Sequence, residues 1–227
     1  MRHTDAAFGE LRAALQHPVP SESQWLRICD VLSNFSSEEF ESTILPYARH
    51  QLDASWPSRL RSTPQHWLDT FLRGDPAPQL ALCTRLWRSR LNHAELRALL
   101  RSSYLDALRH VELVSCHLDH RAVDALIDSK TLLHLETLDL SFNPIGDNGA
   151  KKIAASSQSA NLLVLRLDQT HLGDDGAQAI ARSPHLSNLH TLTLYNNAID
   201  TWGVEELRQS RYLSKQARRN WLHDSEL

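Results

Sequence analysis

The chain has 227 residues, 41% of them hydrophobic, and its 24 basic and 27 acidic side chains leave a net charge of −3. That length supports one or two domains with a self-sufficient core. The near-neutral balance gives no global electrostatic reason to expect nucleic acid or an anionic membrane as partner. Cys29, Cys83 and Cys116 are widely spaced and form no CxxC pair, which argues against a disulfide framework or zinc ribbon and sets the expected location in a reducing cytoplasm.

The first ten residues contain no apolar run suited to a signal peptide, and no segment nears the ~18 apolar residues that span a bilayer. Residues 1–80 read as helical. Phe8, Leu11 and Leu15 share one helical face, with Thr4 as cap and Pro18 as stop. Ser21 followed by Gln24 is a capping-box pattern ahead of Trp25, Leu26, Ile28, Val31 and Leu32. Ser36 with Glu39 repeats it ahead of Phe40, Ile44, Tyr47 and Leu52. The stretch Trp56-Pro57-Ser58-Arg59-Leu60 reads as a connecting loop. Thr63-Pro64 opens a fourth helix through Trp67, Leu68, Phe71 and Leu72, stopped by Gly74 and Pro76.

From there a period of 27 takes over. Leu108, Leu135, Leu162 and Leu189 advance by that step, as do Val111, Leu138, Leu165, Leu192 and Leu113, Leu140, Leu167, Leu194. The same step relates Cys116, Asn143, Thr170, Asn197, then Leu118, Ile145, Leu172, Ile199, then Ala122, Gly149, Gly176, Gly203, then Leu126, Ile153, Ile180, Leu207. The alternation within Leu-x-x-Leu-x-Leu sends two leucines to one side of a short strand. The polar column follows it at a turn, where small polar groups can bond backbone of neighbouring coils. The glycine column permits close approach or unusual dihedrals near a helix start, and the last aliphatic column is that helix's inward side. Such a coil cannot bury its apolar face alone, so coils stack.

Residues 81–107 keep the register loosely, through Leu86, Ser89, Leu91 and Leu99, and read as a degenerate first coil. A serine at Ser102, Ser129, Ser156, Ser183 and Ser210 marks each helix end. The basic residues Arg208, Arg211, Lys215, Arg218 and Arg219 precede Trp221-Leu222, at spacings that read as one stripe of a solvated cap helix, with Trp221 covering the last coil. The expected domains are a helical cap over 1–80, a solenoid of about five coils over 81–210, and a C-terminal cap over 211–227.

The segments LETLDLSFNPIGDNGAKKIAAS and LHTLTLYNNAIDTWGVEEL resemble leucine-rich repeats of the ribonuclease-inhibitor-like class, and the whole layout resembles repeat proteins of large bacterial genomes. The resemblance covers residues 81–210 and departs from uniform Asn at Cys116 and Thr170. It implies an α/β solenoid with parallel strands on the concave side and helices on the convex side, here preceded by a small all-α domain.

No phosphate loop, nucleophile elbow or HExxH is present. The histidines, among them His110, His117, His120, His134 and His171, scatter over strand, turn and helix, so no metal is expected. Asp147-Asn148 and Asp174-Asp175 read as first-turn and capping acids. Cys116 beside His117 and His110 could be drawn as a thiolate–base pair, but its register makes it a structural turn residue.

The residues alternating with the buried leucines face outward. Their columns are Arg85, Glu112, Asp139, Arg166, Thr193 and Trp87, Val114, Ser141, Asp168, Tyr195, with Arg88, Ser115, Phe142, Gln169, Asn196 flanking the second. Mixed charge with aromatic anchors suits a protein interface. The expected binding residues are therefore Arg85, Trp87, Arg88, Glu112, Asp139, Phe142, Arg166, Asp168 and Tyr195. The expected function is a non-enzymatic, cofactor-free, monomeric module binding another protein. Two alternatives stand beside it: a regulator of a small GTPase with Arg88 or Arg166 as its arginine, and a purely structural, self-associating module. Nucleic acid is a lesser possibility, through the basic tract.

Overall fold

The computed structural model describes residues 2–16 and 19–219. By its internal contacts the chain divides into two units, Met1–Trp87 with Ser102–Arg109, and Arg88–Arg101 with His110–Leu227. The elements alternate parallel strands with helices, and the strands keep chain order, β1 (Arg85–Trp87), β2 (His110–Glu112), β3 (Thr137–Asp139), β4 (Val164–Arg166) and β5 (Thr191–Thr193).

The first unit is mainly helical. Helix α1 (Arg2–Leu15) already includes Thr4, so that residue does not cap it, and Pro18 and Trp221 lie outside the described residues. Ser21 caps α2 (Glu22–Leu32) by accepting from the Gln24 N–H, but the Gln24 side chain donates to the Ala14 carbonyl instead of closing the box. At Ser36 the reciprocal box is complete. The helix it opens is not uniform: α3 (Ser37–Glu39) passes through a π turn at Phe40–Ile44 into α4 (Leu45–Ser55). Pro46 accounts for this. It has no N–H for the Ser42 carbonyl and its ring would crowd that turn, so the chain widens and Leu45 donates to Phe40.

The expected loop after Trp56 carries more structure than its composition suggests. A 3-10 turn spans Ser58–Leu60, Ser62 forms a parallel bridge with Arg85, and the buried Arg61 pairs with Asp53 at 2.8 Å. Trp25 is fully buried, donates its indole N–H to the Ser62 carbonyl at 2.7 Å and tilts against Trp56 at 6.2 Å. Helix α5 (Gln65–Leu72) follows, ended by Gly74 at φ 94.

The second unit is the repeat array. Its helices are α6 (His93–Leu100), α7 (His120–Asp128), α8 (Gly146–Ala155), α9 (Asp174–Ala181) and α10 (Thr201–Arg208). Strand β2 pairs parallel with β3, β3 with β4 and β4 with β5, each residue opposite the one 27 places on, as in Val111–Leu138–Leu165–Leu192. Every residue of that column and of the Leu113 column is at most 1% exposed. Burying one such leucine contributes about 2 kcal/mol, so the stacked columns dominate the unit's stability. Ile199, in the last coil, is only partly buried, because its apolar column ends there.

Polar columns stitch the coils at fixed heights. Asn143 is 1% exposed; its Oδ1 accepts from the Cys116 and Leu118 N–H groups at 2.8 and 3.1 Å, and its Nδ2 donates to the Leu113 and Leu140 carbonyls at 2.6 and 2.9 Å. Asn197 repeats this toward Thr170, Leu172, Leu167 and Leu194. Thr170 donates within its own coil, to Leu167. The serine column accepts from the N–H two residues on at Ser102, Ser129, Ser156, Ser183 and Ser210, and at the first four a short 3-10 turn follows. Ser183 and Ser210 also donate back to Ala154 and Ala181 of the preceding coil.

The helix starts hold a device that the residue types conceal. Gly173 caps α9 without a side chain, and Asp147 of the preceding coil supplies the carboxylate, accepting from the Gly173 and Gly176 N–H groups at 2.7 and 3.0 Å. Asp147 thus caps the following helix, not its own. A Cβ at Gly176 would lie 2.6 Å from the Asp147 carboxylate, so the glycine is there for close approach rather than for unusual dihedrals. Replacing Asp147 with Ala strips this cap and one charge-assisted bond, with an expected cost of about 1–2 kcal/mol measured by urea denaturation.

Beyond α10 the basic residues do not lie on one helical stripe. The helix ends at Arg208, and only a 3-10 turn, Ala217–Arg219, follows among the described residues.

Candidate functional site

The outward side chains of β2–β5 form a connected surface on the second unit. His110 and Thr137 meet at 3.1 Å on neighbouring strands, in a column that sequence reasoning passed over although the period marks it as His110, Thr137, Val164, Thr191. Asp139 accepts from the Ser141 N–H at 3.0 Å and faces the Arg166 guanidinium at 3.8 Å. Asp168 accepts from the Thr193 hydroxyl and the Tyr195 N–H, both at 2.8 Å, and its own N–H donates to the Ser141 hydroxyl. Ser141 is therefore 4% exposed, a strut beneath this surface rather than part of it.

Of the nine expected binding residues, Arg88, Glu112, Asp139, Phe142, Arg166, Asp168 and Tyr195 belong to the second unit, and Arg85 and Trp87 to the first. Asp139, Arg166 and Asp168 are brought together. Asp139 and Asp168 are largely engaged within the protein, whereas Phe142 is 51% exposed and the Arg166 side chain 41%. Desolvation raises the Asp168 carboxyl above the usual carboxylate range. The hydrogen bonds from Thr193 and Tyr195 oppose the rise, Asp139 adds to it and Arg166 opposes it.

Because the folded-state value is raised, folding favours protonated Asp168. That contribution is present below the ordinary value, about pH 4, and is lost as pH rises from there through the raised native value. Asp168→Asn can keep both hydrogen bonds, its amide oxygen accepting from Tyr195 and its NH₂ donating to Thr193. It is expected to raise the thermal midpoint modestly at pH 7, with the gain fading toward pH 4; a gain unchanged between pH 7 and pH 4 would contradict this assignment.

Phe142 is held in the left-handed region at φ 60, as are its column mates Ser115, Gln169 and Asn196 at φ 56, 50 and 54. The column sits where the chain turns out of the strand while its backbone still bonds the next coil, Phe142 donating to the Asp168 carbonyl at 2.8 Å. The turn imposes this conformation in the four regular coils, Arg88 of the degenerate first coil excepted, and in this column only Phe142 is aromatic. No glycine signalled it in the sequence.

The other chemical candidates resolve into structural roles. Burial raises the Cys116 thiol, which donates to the Arg88 carbonyl at 3.2 Å, and the His110 ring pairs with the Thr137 hydroxyl at 3.1 Å. His93 bonds Asp119, the cap of α7, at 2.9 Å. Among the described residues no three His, Cys, Asp or Glu side chains converge as metal ligands, and no helix is long and apolar enough to cross a membrane.

Parallel strands alternating with helices on a 27-residue period define a leucine-rich-repeat architecture. The leucine-rich repeat family model matches residues 131–154 and 158–181, two segments that start one period apart, and supports reading these coils as leucine-rich repeats. No curated protein matches the chain. Leucine-rich repeats serve in general as protein-interaction modules rather than enzymes.

Proposed function

We propose that this protein binds another protein through the exposed sheet face of its repeats, the concave face of a ribonuclease-inhibitor-like array of bacterial type. The observation that carries the reading is Phe142: an exposed aromatic side chain kept in a left-handed conformation, where Asn or Gly would be more stable. Its backbone N–H bonds the carbonyl of Asp168, which belongs to an ordered network with Asp139, Arg166 and Thr193. Networks of this kind give register and specificity, and exposed aromatics give affinity. Three unpaired cysteines support action in a reducing, cytoplasmic setting.

The test is affinity capture from native lysate with the wild type beside Arg166→Glu. The variant reverses the charge that faces Asp139 while touching no buried apolar column. A protein held by the wild type and lost by the variant supports the sheet-face site; equal capture by both moves the site elsewhere.

A further inference from the structure

The near-neutral balance of the chain conceals a segregated one. Residues 208–219 hold Arg208, Arg211, Lys215, Arg218 and Arg219 and no acidic side chain, leaving 19 basic against 27 acidic side chains in the rest. Within the second unit this tract is folded onto the last coils. Leu213 and Ala217 are buried; Ser210 donates to the Ala181 carbonyl and accepts from the Leu213 N–H at 3.0 Å, and Ser214 donates to the Leu189 carbonyl at 2.6 Å. The Arg218 guanidinium donates to the Arg208 carbonyl at 3.3 Å, which brings the two ends of the tract together. Arg208, Arg211, Lys215 and Arg219 are exposed. The tract is thus anchored by its apolar side chains while its charges meet the solvent. The acids next to it in sequence are engaged elsewhere, Glu206 with Arg182 at 3.0 Å and Glu205 with Gln209.

A concentrated positive charge calls for an anionic partner, and the residue types narrow its class. Four of the five cations are arginine, whose planar guanidinium suits phosphate and stacks on rings. Arg211 lies 4.7 Å from the Tyr212 ring centroid, a guanidinium–aromatic pair of the kind on which bases stack. A lipid surface fits poorly, because Leu213 and Ala217 are buried and cannot insert. A duplex fits poorly too, because the tract holds only the 3-10 turn Ala217–Arg219 past the end of α10, not a helix or ribbon that enters a groove. We propose that residues 208–219 bind single-stranded nucleic acid through its phosphates, with a base resting on the Arg211–Tyr212 pair and no reading of sequence. The site goes beyond the sheet-face reading and shares no residue with it.

The experiment titrates the full chain into fluorescein-labelled oligo(U) and oligo(dT) of about 12 nucleotides, following anisotropy at several salt concentrations. Saturable binding at roughly 1–100 µM is expected in low salt, with log affinity falling against log salt at a slope of about −2 to −3, the counterions of three or four phosphates. Binding of either oligomer in this way supports the proposal, and the tighter one identifies RNA or DNA as the source. The triple variant Arg208→Gln, Arg211→Gln, Arg219→Gln changes only exposed positions, so its thermal midpoint should hold. It should lose at least about ten-fold in affinity and flatten the slope to about −1. Arg211→Lys, which keeps the charge and removes the plane, should weaken binding about three-fold at an unchanged slope. No saturable binding to either oligomer, or affinity and slope that the triple variant leaves unchanged, overturns the proposal. Polyglutamate that displaces the oligomers at equal charge overturns it in favour of an acidic protein, and a duplex bound more tightly overturns it in favour of double-stranded DNA.

Discussion

Replacing Asn143 with Ala is expected to destabilise the repeat unit by about 3–5 kcal/mol, a third or more of a typical domain's stability. The side chain is buried, and it bridges two coils through groups with no alternative partner. Without it the Cys116 and Leu118 N–H groups and the Leu113 carbonyl stay buried and unmet, each costing about 1–3 kcal/mol. The loss falls on one interface of a nearly one-dimensional array, so cooperativity should suffer with stability. Urea denaturation followed by circular dichroism should show a lower midpoint and a shallower or split transition. Asn143→Thr, which installs the residue found at position 170, should cost less, because a hydroxyl can still donate to the Leu140 carbonyl as Thr170 does to Leu167. Asn197→Ala should also cost less than Asn143→Ala, because Asn197 is only partly buried. Equal losses at 143 and 197 would mean that burial does not set the strength of these bridges.

The array and its bridges were legible to different degrees. The buried columns Val111–Leu192 and Leu113–Leu194 are plain in the sequence because a coil with no insertion repeats both residue type and burial. Asn143 and Asn197 were legible as a turn column for the same reason. The helix-start column His93, His120, Asp147, Asp174, Thr201 was not, because it repeats a place and not a chemistry: His93 bonds the cap residue Asp119, whereas Asp147 is itself the cap of the next helix. Cross-coil bonds of this kind need the stacking geometry before they can be read. The π turn before Pro46 was hidden similarly, since a hydrophobic pattern through Phe40, Ile44 and Leu52 serves a widened helix as well as a regular one. At the candidate site the outward columns followed from alternation alone. The left-handed turn at Phe142 did not, because Ser115, Phe142, Gln169 and Asn196 share a conformation that none of their side chains announces.

That conformation makes Phe142→Asn the most discriminating single change. A non-glycine residue in the left-handed region carries a penalty of about 1 kcal/mol that Asn largely avoids, and a side chain half in water returns little burial energy in compensation. The variant is therefore expected to be more stable than the wild type by about 0.5–1 kcal/mol. If Phe142 is the anchor of the sheet-face site, the same variant loses partner affinity by 2 kcal/mol or more, about thirty-fold, as removal of a central aromatic does at other interfaces. Opposite signs for stability and binding are what a residue retained for recognition produces, because ordinary packing would move both in the same direction or leave binding untouched. Thermal denaturation and titration calorimetry with the captured partner measure the two quantities on one preparation. A destabilised variant would make Phe142 a packing residue, and a stabilised variant with unchanged affinity would remove it from the interface and leave Arg166 as the test of that face.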